Sequence, residues 1–177
     1  MRKLVLGAAL GAAIFTAPSL AIAGGFVGMN YTRLQQNDRF FGHDRFSTGE
    51  LFGRIGGHIN KSVTTEMRIG TTINDKEQGG EKYRFDYNIG GYVELGYQFH
   101  LLRPYLLLGY TFGEEKATLY NNVQYKSYKS HLHDVSYGAG VDLYLSKKIG
   151  INAEYIQYYD IGNVTFKGPS AGIFYRF

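Results

Sequence analysis

Taken in steps of two back from its last residue, the chain runs Phe177, Tyr175, Ile173, Ala171 on one side. On the other it runs Arg176, Phe174, Gly172, Ser170. A period of two is that of a strand whose faces meet different surroundings. Here one face is apolar and is carried to the final residue, while the other is mixed, small and charged. Such a face suits a strand against hydrocarbon, with its terminal aromatic at the interface.

The start of the chain restricts the surroundings further. Arg2 and Lys3 precede an apolar, small-residue run from Leu4 to Ala17, and Ala21-Ile22-Ala23 then has the form of an A-x-A cleavage site. This pattern predicts a cleaved secretory signal peptide over residues 1–23, exported by the Sec route, and a single domain over residues 24–177. Removal of Arg2 and Lys3 lowers the formal charge from +4 to +2, too little to argue for a nucleic-acid partner. With no cysteine, neither disulfides nor thiolate chemistry are available. Beyond the signal no apolar stretch is long enough for a transmembrane helix. A membrane-spanning chain of this kind has one route left, a closed β-barrel, which satisfies every backbone group between strands. The 16 Tyr and 12 Phe favour strands, and the 24 Gly allow close packing.

Periodicity and turn residues predict eight strands, near residues 26–34, 49–59, 63–73, 83–98, 104–116, 133–145, 149–159 and 164–177. Tight turns are expected at Asn60-Lys61-Ser62 and Ser146-Lys147-Lys148, and a short link from His100 to Arg103. Longer connections, Gln35–Thr48, Asn74–Lys82 and Ala117–Leu132, fall at the opposite end, with a brief one at Asp160–Asn163. Pro104 is expected at a strand start, where its missing N–H matters least. The fold class is therefore all-β: an eight-stranded antiparallel up-and-down transmembrane barrel, short turns periplasmic and longer loops extracellular.

Each strand divides into an apolar and a polar face. Tyr87, Tyr97, Tyr110, Tyr159, Tyr175 and Phe177 near strand ends suit interfacial girdles, which places the apolar face in lipid. The inward set is then Arg54, His58, Glu66, Arg68, Glu94, Asp142, Glu154 and Arg176. Counted from the short turns, the acids lie at similar heights. Four acids against Arg54, Arg68 and Arg176 are expected to form a structural network that fills the lumen. Such a layer is favourable when nearly every member is paired.

Several segments together resemble the bacterial outer-membrane β-barrel domain family, the small OmpA/OmpX-type barrels. They are Gly25-Phe26-Val27-Gly28, Thr65-Glu66-Met67-Arg68-Ile69-Gly70, Arg103-Pro104-Tyr105 with Gly109-Tyr110, Ser136-Tyr137-Gly138-Ala139-Gly140-Val141-Asp142, Asn152-Ala153-Glu154-Tyr155, and Gly172 to Phe177. The resemblance implies an integral outer-membrane protein surrounded by lipid and lipopolysaccharide. It also implies delivery by periplasmic chaperones and folding by the barrel-assembly machinery, which reads the terminal strand; Ile173, Tyr175 and Phe177 are the expected assembly signal.

Other constellations are weaker. Gly168-Pro169-Ser170-Ala171-Gly172 has the G-x-S-x-G form but lies in a strand with no His after it. His131 and His133 share a strand face, yet zinc needs further ligands. His133 and Ser136 fall on opposite faces, against a lipid A-modifying His–Ser pair. No catalytic, metal or cofactor site is expected. The expectation is a non-enzymatic, monomeric membrane scaffold with surface loops for adhesion or host and surface ligands. The alternative is a narrow porin-like channel, and behind it a lipid A-modifying enzyme or a soluble periplasmic carrier.

Overall fold

The structure, a computed structural model, describes residues 24–38, 44–74, 76–78, 81–121 and 124–177. The expected signal segment and residues 39–43 of the expected Gln35–Thr48 connection lie outside these. The strands are β1 (Gly25–Asp38), β2 (Asp44–His58), β3 (Val63–Asn74), β4 (Lys76–Gln78), β5 (Glu81–Gly96), β6 (Leu102–Asn121), β7 (Gln124–Tyr144), β8 (Ile149–Ile161) and β9 (Val164–Arg176). All pairings are antiparallel, in the order β3-β2-β1-β9-β8-β7-β6-β5-β4, and β3 also pairs with β5. That pairing closes the ring. The three-residue β4 continues the stave begun by β3, so the barrel has eight staves. Among the described residues no helix is long and apolar enough to cross a membrane; the crossing is made by strands.

The barrel also closes through its last residue. Phe177 N–H donates to Gly25 O (3.0 Å) and Gly25 N–H to Phe177 O (3.3 Å). Local chemistry sets the short turns. Asn60 Oδ1 accepts from the N–H groups of Ser62 (2.8 Å) and Val63 (2.9 Å). Ser146 Oγ does the same for Lys148 (3.2 Å) and Ile149 (3.0 Å). These side-chain turns satisfy backbone donors that the strands release. Between β5 and β6, Phe99 and Leu102 exchange both backbone bonds while His100 adopts φ 48°.

Burial alternates with strand parity. Ile55, Ile69, Leu106, Tyr137, Ile173 and Tyr175 are exposed, whereas Glu50, Arg54, Glu66, Arg68 and Glu94 are almost wholly buried. A soluble protein shows the reverse. Charged groups inside and apolar groups outside are the arrangement that lipid demands.

Three expectations change in detail. The outer connections are largely strand: β1 continues to Asp38, and β6 and β7 pair as far as Asn121↔Gln124. The sequence Ala117–Leu132 alternates well enough to continue the ladder, although its polarity suggests a loop. Tyr159 does not join the girdle but is buried in the lumen, because a bulge between Gln157 and Tyr159 shifts the parity of β8 against β9. Finally, β6 begins at Leu102, two residues before Pro104.

Candidate functional site

The lumen is the densest polar feature of the molecule, and antiparallel register assembles it. Arg54 on β2 stands opposite Arg68 on β3, a repulsive pair if left alone. Glu66, two residues before Arg68 on the same face, resolves this. Its Oε2 accepts from Arg54 Nε (2.8 Å), and its Oε1 from Arg68 Nε (2.7 Å) and Nη2. Arg54 reaches on to Glu94 Oε1 (3.1 Å) and Asn30 Oδ1 (3.2 Å). Arg103 Nη1 joins Glu94 Oε2 (2.6 Å) to Asp142 Oδ2 (3.0 Å). On the far wall Glu154 takes Arg68 Nη1 on Oε1 (2.5 Å), and Arg68 Nη2 (3.0 Å) and Tyr105 Oη (2.9 Å) on Oε2. The result is one connected layer, Asp142–Arg103–Glu94–Arg54–Glu66–Arg68–Glu154. Three guanidinium groups interleave four carboxyl groups on six strands.

Six of the eight lumen residues singled out in the sequence meet in this layer: Arg54, Glu66, Arg68, Glu94, Asp142 and Glu154. Two do not. Arg176 lies at the floor with its guanidinium 4.9 Å from the Tyr144 ring centre, and makes no ion pair among the described residues. His58 also lies toward the floor, with Nδ1 2.7 Å from Thr64 Oγ1. The parity is right, but both side chains lie too close to the periplasmic rim to reach the carboxylates. The third arginine is instead Arg103, which by sequence ends the short link from His100. It shares the inward parity of Tyr105 and Leu107, and that signal was available on either side of Pro104.

Above and below, aromatic rings fill the bore. At the floor, Phe26 and Tyr144 both pack edge-on against Phe174. The space among Phe26, His58, Arg103, Phe174 and Arg176 amounts to about 10 Å³, room for one water at most. Over the charge layer, Phe52 stacks on Tyr158 (5.3 Å) and the Arg68 guanidinium sits 4.9 Å from the Tyr92 ring centre. Tyr92 Oη meets Thr111 Oγ1 (2.6 Å), which meets Ser136 Oγ (2.6 Å). Higher still, Asn88 donates to Glu50 Oε2 (2.7 Å) and accepts from Tyr159 Oη (2.5 Å), beside the Phe85–Tyr159–Phe166 cluster. Glycine makes part of this possible. A Cβ on Gly140 would lie 2.6 Å from Tyr105 Cζ, so glycine leaves the space that this ring occupies beside Glu154.

The weaker motifs resolve into ordinary packing. Ser170 faces the lumen and accepts from Asn30 Nδ2 (3.0 Å). His133 faces outward, its Nδ1 3.0 Å from Tyr110 Oη, whereas Ser136 is turned inward. His131 Nδ1 lies 3.6 Å from Glu114 Oε2, and no group of three potential metal ligands occurs among the described residues. Ile173, Tyr175 and Phe177 all face outward, Tyr175 beneath Lys148 Nζ at 5.8 Å.

These features define a class: a transmembrane barrel with a lipid-facing apolar wall and a filled polar bore. The chain belongs to the outer membrane protein beta-barrel domain family, which it matches over residues 4–177. A comparison with curated protein sequences finds no match. Among solved structures it is similar to neisserial surface protein A, with a TM-score of 0.71 and 16% identity, covering 89% of this chain and 99% of that one. It is similar to Ail, the attachment invasion locus protein of Yersinia pestis, crystallised with the heparin analogue sucrose octasulfate. There the TM-score is 0.65 with 16% identity, covering 87% and 99%. It also resembles OprG of Pseudomonas aeruginosa, with a TM-score of 0.54 and 13% identity, covering 88% and 97%. At these identities the likeness is one of fold. The chain is an outer-membrane β-barrel.

Proposed function

We propose that this protein is a non-enzymatic scaffold whose barrel presents its outer end for adhesion or for binding surface ligands. The observation that carries the reading is the bore: charge layer, aromatic floor and aromatic roof fill it from wall to wall. A solute path needs a continuous wet bore, and acid–base catalysis needs a carboxylate that a substrate can reach. The matched arginines serve stability instead. What remains is the outer end. It carries Arg33, Arg84, Lys116 and Lys129 among its outward side chains, a set that suits anionic glycans and lipopolysaccharide phosphates. The sulfated ligand held by Ail is a precedent on a similar frame.

The remaining steps of the reading concern export. Residues 1–23 act as a Sec signal and are removed. Ile173, Tyr175 and Phe177 present the terminal strand to the assembly machinery after chaperone delivery, and the mature barrel works as a monomer. The test of function is retention of the purified protein on immobilised heparin, together with adhesion of expressing cells to glycan-bearing host cells. Retention that falls with salt, and falls further on Arg33→Glu, Arg84→Glu or Lys116→Glu, is expected. Absence of both retention and adhesion would overturn the reading.

A further inference from the structure

The periplasmic turns carry charge of one sign. Residues 59–62, 97–101 and 145–148 hold Lys61, His100, Lys147 and Lys148 and neither Asp nor Glu. The side-chain carboxylates among the described residues stand in the bore or at the outer end. Lys147 and Lys148 are neighbours in one tight turn, and both are exposed. Among the described residues neither makes an ion pair, with the Phe177 carboxylate or with any other. Their charge is left to be met from outside the chain.

Beside Lys148 the outer wall is hollowed. Arg176 N–H donates to Lys148 O (2.7 Å), which seats the turn on the terminal strand. Lys148 Nζ stands 5.8 Å from the Tyr175 ring centre. Tyr175 is paired with Val27 on β1 and with Ile149 on β8, and Ile173 with Met29. All five side chains face outward. With Gly28 and Phe174 they line a groove of about 490 Å³, within the range of roughly 300–1,000 Å³ found for small-molecule sites. The Tyr175 hydroxyl is the one polar group among the lining side chains. Ile173 lies four residues from the chain end at Phe177, roughly 10 Å of depth along a tilted strand. The groove therefore lies among the acyl chains of the periplasmic leaflet, with its cationic mouth at the headgroups.

We infer that the groove and the Lys147–Lys148 turn together bind one anionic phospholipid of that leaflet. Its phosphate sits against the two ammonium groups, and an acyl chain lies along Val27, Met29 and Ile173. Charge selects the occupant. Basic residues beside a bilayer attract anionic lipid, whereas a zwitterionic lipid brings an ammonium group of its own to the lysines. A second copy, related by a two-fold axis along the membrane normal, would meet this face at the same height. It would set Lys148 toward its counterpart, and like charges so placed disfavour the pairing. The inference concerns the end of the barrel opposite to the ligand surface and stands without the surface-binding reading.

The test uses the full protein in a neutral detergent, read by native mass spectrometry with dioleoyl phosphatidylglycerol or dioleoyl phosphatidylcholine. Wild type should retain one phosphatidylglycerol about tenfold more strongly than phosphatidylcholine. The double change Lys147→Gln with Lys148→Gln should bring the two lipids to parity. Lys61→Gln, on another turn of the same rim, should leave the preference intact. Val27→Trp fills the groove and should lower phosphatidylglycerol retention several-fold, with an unchanged heat-shift on a gel. Should a variant misfold, the wild type still decides. In phosphatidylcholine nanodiscs holding phosphatidylglycerol with a nitroxide on its acyl chain, the Met29 and Ile173 methyl signals must broaden more than those of Leu106. Leu106 faces lipid at a similar depth on the opposite wall. Equal retention of the two lipids by wild type, a preference that survives loss of both lysines, or an equal loss in Lys61→Gln would overturn the inference. So would unchanged retention by folded Val27→Trp, uniform broadening round the barrel, or a wild-type dimer that Val27→Trp abolishes.

Discussion

Arg68 holds Glu154 across the full width of the barrel, Nη1 to Oε1 at 2.5 Å and Nη2 to Oε2 at 3.0 Å. Their strands, β3 and β8, are four staves apart in either direction round the ring. This fork is a tie across the diameter, and Glu66 and Tyr105 brace it at either end.

Arg68→Met should therefore be among the most damaging lumen changes. It leaves Glu154 and half of Glu66 without a cation in a buried site, a loss of about 3–5 kcal/mol. The double change Arg68→Met with Glu154→Leu should recover part of that loss, because no carboxylate is then stranded. Urea unfolding in lipid vesicles measures both. Tyrosine fluorescence serves as the probe, since the chain has no tryptophan.

Charge on the outer wall should act by depth. Ile55→Arg and Val93→Arg, in the middle of their strands, should each cost roughly 2–4 kcal/mol, and Leu145→Arg at the periplasmic rim about 0–1 kcal/mol. The same unfolding assay gives the three values. Equal costs at all three positions would contradict a lipid-facing wall.

Deletion of Phe177 should reduce membrane insertion more than removal of any one outer connection. The deletion removes both backbone bonds to Gly25 that close β1 on the chain end. It also removes an aromatic that is 70% exposed on the outer face. Membrane fractionation and the heat-shift gel report the outcome; a deleted chain that inserts and shifts as the wild type does would refute the role of this residue.

The parity of each strand was legible because lipid outside and paired charge inside leave a strict period of two. Glu66 beside Arg68, and Ile173 beside Phe174, could be assigned to faces without coordinates. Tyr159 could not, because a bulge moves one residue across the wall and leaves no mark in composition. Arg103 is masked for a different reason: Pro104 suggests a strand start, yet the ladder begins two residues earlier and carries the arginine into the bore. Which carboxylate meets which arginine depends on strand stagger, so the sequence could place Arg54 and Glu94 at one height but not in contact. The tall β6–β7 hairpin was hidden by its polarity, which is that of a loop although its alternation is that of a strand.

The central claim is a bore closed by the Arg54–Arg68–Arg103 layer, and conductance in planar lipid bilayers tests it most directly. Purified wild-type protein should insert and leave the membrane without a steady current. Arg68→Met, which breaks the tie, should admit flickering openings, whereas Arg33→Glu at the outer end should leave the membrane as silent as wild type. A reproducible ohmic conductance from the wild-type barrel would contradict the filled lumen and, with it, the scaffold account.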